Sequence, residues 1–176
     1  MGRAFLIEGD MEKVFEEAKL GRVSRELAQA VFAAFPDFRT FATMFDHDGE
    51  GIGEADGSSL WIKVAAPGSN PDLQIIIWVD EVATPSFEFG PTHCHETPDS
   101  EGYRVVVDRL RSVFADQLVA VYKLDGPCAG RGTWLNLSVP EELLDLLTDP
   151  WSATKVRIES WTGKADREIS LADLSS

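Results

Sequence analysis

The residues best suited to chemistry lie in "GPTHCHETPDSEG", residues 90–102, where His93 and His95 flank Cys94 and an acid, Glu96, follows. Alternate side chains of an extended strand share a face, so the two imidazoles point one way while Cys94 and Glu96 point the other. A His-x-His pair on one face can chelate a metal ion, which makes His93 and His95 the candidate metal ligands. A closed zinc centre, however, needs three or four protein ligands. Only His47 remains as a further imidazole, so the rest would be carboxylates or thiols from distant positions. The competing reading is two histidines held by hydrogen bonds where a strand runs into a helix. Phe87, Phe89 and Pro91 would join the histidine face if the strand ran unbroken, but a proline at 91 is expected to bend it. Cys94, directed away from the imidazoles, is wrongly placed for a thiolate–imidazole pair.

A second cluster is "DHDGEGIGEADG", residues 46–57, which spaces Asp46, Asp48, Glu50, Glu54 and Asp56 almost regularly. It invites comparison with an EF-hand loop, which needs a bidentate Glu at position twelve and an apolar residue at position eight. Gly57 and Gly53 stand there instead. Nor do its glycines follow the GxGxxG spacing of a phosphate cradle, and the acids would repel a phosphate. The stretch reads as an acidic loop whose five carboxylates are the candidate partner-binding residues. Cys128, in the glycine-rich turn "GPCAGRG" beside Arg131, reads as an inert turn cysteine, and no GxSxG nucleophile turn occurs.

Charge narrows the partner. The formal net charge is −14, from 30 acids against 16 bases, and phosphate binding depends on Lys and Arg displacing counterions, so nucleic acid is excluded as an expected partner. The same field attracts a basic protein and speeds its association. No apolar run is long enough to span a membrane, and the N-terminus lacks the features of a secretory signal. The expected location is cytoplasmic, where two cysteines 34 residues apart remain thiols. No cofactor is expected.

These residues must be positioned by helices and strands whose periods can be read. Apolar residues at 11, 14, 15, 18, then 20, 23, 27, 30, 31 and 34 predict a long amphipathic helix from an Asp10 N-cap. Its phase slips at Leu20-Gly21, predicting a kink or break there, and Pro36 closes it. Period-two runs over 60–64 and 73–79, joined by "APGSNPD", predict an antiparallel hairpin, with "SFEFG" as a third strand. Thr97 as N-cap, Pro98 at the first helical position and the stripe Tyr103, Val106, Val107, Leu110, Val113 and Phe114 predict a second long helix. "QLVAVYKL", "TWLNLSV" and "TKVRIESW" read as strands, with "EELLDLL" as a short helix between the last two. The expected fold is a single α+β domain over 1–176: a mainly antiparallel sheet of about six strands, two long helices and one short helix. Trp61 and Trp78 fall opposite the aliphatic strand faces, where they either anchor a binding surface or lie under the first helix; cover is the expectation.

Residues 85–170 also resemble a group of small bacterial proteins that share a strand ending in His-x-His, a helix, a strand, and a closing Ser-Trp-x-Gly strand with Asp-Arg. The matching residues are His93, His95, Ser160, Trp161, Gly163, Asp166 and Arg167, while Thr92 stands where an aromatic is expected. Some of that group look like immunity partners of bacterial toxins, and the resemblance therefore implies inhibition by binding rather than catalysis. The expected function is that of a non-enzymatic acidic binding protein, an immunity-type inhibitor of a basic protein partner such as a toxin. The alternative is a small metal-binding enzyme or sensor using His93 and His95.

Overall fold

The computed structural model describes residues 13–45, 57–67, 70, 72–80, 82–139, 141–142, 145 and 153–170. The protein is α+β, and its described strands form two sheets rather than the expected one. A six-stranded sheet has the order β1 (Lys13–Val14), β2 (Ala42–Phe45), β3 (Ser59–Ala65), β4 (Gln74–Val79), β5 (Pro85–Phe89), β6 (Thr92–His95). A four-stranded sheet holds β7 (Leu118–Lys123), β8 (Gly132–Asn136), β9 (Lys155–Glu159) and β10 (Arg167–Ser170), ordered β10-β9-β7-β8 with antiparallel pairing throughout. Strands of two to four residues, such as β1, β2, β6 and β10, are too short for alternation to reveal them, which is why the count rises above six. No helix among the described residues is long and apolar enough to cross a membrane.

The chain groups into two compact units: residues 1–64, 75–88 and 93–108, and residues 65–74, 89–92 and 109–176. In the first, Leu60, Ile62, Val64, Ile75, Ile77, Val79 and Phe87 form the buried face of the six-stranded sheet. Helix α1 (Arg22–Ala34) adds Val23, Leu27, Ala28, Val31 and Phe32 to that core. Each fully buried aliphatic side chain contributes about 1.5–3 kcal/mol against conformational entropy.

The expected long first helix is only half present. Lys13–Val14 is a strand, Glu17–Lys19 a single 3-10 turn, and α1 starts at Arg22 behind Gly21. The slip at Leu20-Gly21 marks the true start of the helix. Leu20 is wholly buried and bridges Ser58, and the Gly21 amide donates to Ser58 O at 3.0 Å. A Cβ on Gly57 would sit 2.5 Å from the Gly21 nitrogen, so the two segments meet backbone to backbone. The helix ends before Pro36, as expected, and Pro36–Phe41 continues as 3-10.

Helix α2 (Ser100–Phe114) carries the expected stripe, with Tyr103, Val106, Val107, Leu110 and Val113 buried. Its cap is Asp99 and not Thr97. Asp99 Oδ1 accepts from the amides of Glu101 and Gly102 at 3.0 and 2.9 Å, while Thr97 Oγ1 donates to the same carboxylate oxygen. A carboxylate that takes two amides outcompetes a hydroxyl two residues earlier.

In the second unit Val119, Val121, Leu135, Ala153, Val156 and Ile158 form the core. Of the expected short helix, Glu141, Glu142 and Asp145 are described and helical.

Candidate functional site

The candidate site is built on β5 and β6. Between them the chain reverses at Gly90-Pro91, where Gly90 takes φ +61°, as the first central position of a type II′ turn requires, and proline's fixed φ suits the second. Sequence reading placed a bend here; the structure has a hairpin. Phe87 and Phe89 therefore turn into the buried face of one strand, while His93 and His95 stand exposed on the next. The two imidazoles share a face, as their spacing implied, with ring centres 5.1 Å apart and planes at 81°. Cys94 points the other way and its thiol donates to Phe87 O.

Across the hairpin, Ser86 Oγ lies 2.8 Å from His95 Nδ1. Ser86 Oγ also lies 3.3 Å from Thr84 O, so its single proton serves either that carbonyl or His95 Nδ1. Asp80 Oδ2, 3.6 Å from the same nitrogen, favours a proton on Nδ1. That carboxylate is itself fixed, because Asp80 Oδ1 accepts from the amides of Val82 and Thr84 at 3.0 and 2.8 Å and so holds the β4–β5 turn. The two oxygens around Nδ1 favour the tautomer that leaves the His95 lone pair on Nε2. Ser86 is fully buried.

On the same face Glu88 shares the electrostatic field of His93 and Lys63. Partial burial pushes its carboxyl above the ordinary carboxylate range, and its interactions with His93 and Lys63 pull the other way. From β6 an aromatic row runs back across the sheet. His93 lies 6.0 Å from Trp78, Trp78 lies 5.7 Å from Trp61, and Trp61 lies 5.5 Å from Phe45, all between ring centres. Trp61, Trp78 and Phe45 remain partly exposed. Asp80, Ser86, Glu88 and Lys63 were not singled out from the sequence; the Gly-Pro turn that places two of them beside the histidines was the available signal.

Other clusters have structural roles. In the second unit the nearly buried Glu159 accepts from Asn70 Nδ2 at 2.5 Å and pairs with Arg157 Nε at 2.9 Å. Burial, reinforced by Glu159, pushes the Tyr122 phenol up to about 12. The Ser-Trp-x-Gly segment is a turn: Asp166 Oδ1 accepts from Ser160 N and Oγ at 2.7 and 3.1 Å, Gly163 takes φ +76°, and Trp161 packs between Phe89 and Phe114. Cys128 is a free thiol in its turn. A shallow groove of about 310 Å³ lies along Trp134 and Leu135, but its Glu142 is engaged by the Asn136 amide.

Among the described residues, no three His, Cys, Asp or Glu side chains gather into a metal centre. Asp46, Asp48, Glu50, Glu54 and Asp56, like His47, lie outside the described residues. No family model matches the chain, and no curated protein or solved structure does either.

Proposed function

We propose that the protein is an acidic, non-enzymatic binding protein that neutralises a basic protein partner by covering it, in the manner of an immunity protein. The observation that carries this reading is the row Phe45, Trp61, Trp78, His93 and His95, which lies on one face of the six-stranded sheet and is partly open to solvent. Tryptophan supplies large contact area with little rotamer entropy to lose, and such side chains dominate binding energy where they fill a partner's pockets. A net charge of −14 supplies the other half, long-range attraction for a cationic surface. The acidic stretch from Asp46 to Asp56 follows directly on Phe45 in the chain, so its carboxylates are the proposed steering residues.

The test is a pull-down from the native host followed by binding kinetics on the captured partner. Trp61→Ala and Trp78→Ala should speed dissociation at least about tenfold, the signature of central contact residues. Replacing Asp46, Asp48, Glu50, Glu54 and Asp56 with their amides should slow association and flatten its salt dependence. An acidic partner, or kinetics indifferent to both sets of changes, rejects the proposal.

A further inference from the structure

We propose that His93 and His95 form an open two-imidazole site for a divalent borderline metal ion of the Zn²⁺, Ni²⁺ or Cu²⁺ type, with Ser86 as the residue that positions His95. The inference is independent of any protein partner and stands or falls separately from the binding function.

The first argument is geometric. With a metal–nitrogen bond of about 2.0 Å and the ring centre about 1.1 Å beyond the nitrogen, two imidazoles on one tetrahedral ion have centres about 5 Å apart. The rings of His93 and His95 are 5.1 Å apart, on one face and exposed, so an ion can reach them from solvent.

The second argument concerns the lone pair. A metal-binding imidazole needs one unprotonated nitrogen, and ligating histidines commonly donate their other N–H to a hydroxyl, carbonyl or carboxylate. Here Ser86 Oγ lies 2.8 Å from His95 Nδ1 and 3.3 Å from Thr84 O, and Asp80 Oδ2 lies 3.6 Å from the same nitrogen. A proton on Nδ1, held by Ser86 Oγ, leaves the Nε2 lone pair for the ion. His93 is constrained differently, by its packing against Trp78 and by Glu88 beside it.

Two nitrogens, with no third ligand gathered to them among the described residues, select the class of ion. Hard cations such as Mg²⁺ and Ca²⁺ require oxygen ligands in number, whereas imidazole favours Zn²⁺, Ni²⁺ and Cu²⁺. The remaining positions fall to water, which makes the site exchangeable. Asp80 and Glu88 offset part of the ion's charge, and Lys63 opposes it.

The experiment is titration calorimetry of the full chain, free of any histidine tag, with Zn²⁺ and with Mg²⁺ as the control. One Zn²⁺ per chain and no response to Mg²⁺ are expected. His93→Gln and His95→Gln, both at exposed positions, should each abolish the Zn²⁺ signal, and Ser86→Ala should weaken it about tenfold or more. Because Ser86 is buried, a second measurement avoids replacing it: nitrogen NMR of the wild-type protein in mildly alkaline buffer should show His95 carrying its proton on Nδ1. Absence of Zn²⁺ uptake, uptake unaltered in the two glutamine variants, or His95 protonated on Nε2 would each overturn the proposal.

Discussion

The buried hydroxyl of Ser86 and the exposed imidazole of His95 stand 2.8 Å apart on neighbouring strands. Their meeting depends on strand register: the Glu96 amide donates to Pro85 O at 2.8 Å just beyond them, and the chain reverses at Gly90-Pro91. One two-residue turn therefore decides which side chains face the histidines.

That dependence makes Gly90 the most sensitive backbone position near the site. An alanine there must hold φ +61° and place its Cβ 2.8 Å from the Ala120 Cβ. Gly90→Ala should lose about 1–3 kcal/mol in urea unfolding. An unchanged midpoint would show that the turn tolerates a side chain.

Glu88 sets a pH dependence whose sign can be worked out. Its folded pKa is raised above the ordinary 4.5, so between those two values the folded state binds more protons than the unfolded one, and stability falls as pH rises. Glu88→Gln removes this penalty. The variant should be more stable than wild type at neutral pH, with the difference vanishing below about pH 4.5. Thermal unfolding of both proteins across that range measures it; a glutamine variant less stable at neutral pH would show that the contacts with Lys63 and His93 outweigh burial.

Tyr122 offers an alkaline counterpart. Its phenol is pushed up to about 12 by burial and then by Glu159, so its contribution is intact below 10 and is lost as pH climbs from 10 towards 12. In Tyr103→Phe, which leaves Tyr122 as the single tyrosine, the tyrosinate absorbance should rise near pH 12. A transition near 10 would mean that the phenol is not buried.

At the start of α2, the amides of Gly102 and Glu101 and the Thr97 hydroxyl hold the Asp99 carboxyl below its ordinary 3.8. The capping contribution is therefore present above 3.8 and disappears as pH falls through the lowered value. Asp99→Ala should lower the thermal midpoint at neutral pH, while Thr97→Ala should lower it less. The reverse order would restore Thr97 as the cap.

Where an alternating period ran for five or more residues, and along the stripe of α2, the sequence was legible: the strands around Ile62, Ile77, Val121 and Ile158 and that stripe all stand where periodicity placed them. The failures share a cause. Val14 and Phe15 mimic a helical stripe, but Leu20 is captured by Ser58 from far along the chain, and such a contact leaves no local trace. The same holds for the site. The shared face of His93 and His95 follows from period two, whereas Ser86 and Asp80 reach His95 only through the hairpin and the β4–β5 turn. Gly90-Pro91 carried the signal for that hairpin, and reading the proline as a bend instead of a reversal hid both partners.

The row of rings across the sheet gives the protein an optical property. Trp61 and Trp78, 5.7 Å apart and inclined at 37°, are close enough for their indole transitions to couple. Their circular dichroism should therefore contain a paired band of opposite signs that neither tryptophan produces alone, and Trp61→Phe or Trp78→Phe should erase it. With Phe45 at one end and His93 at the other, anything that settles on this face and tilts either indole changes the band. The protein thus carries its own label-free reporter where a ligand is expected to land.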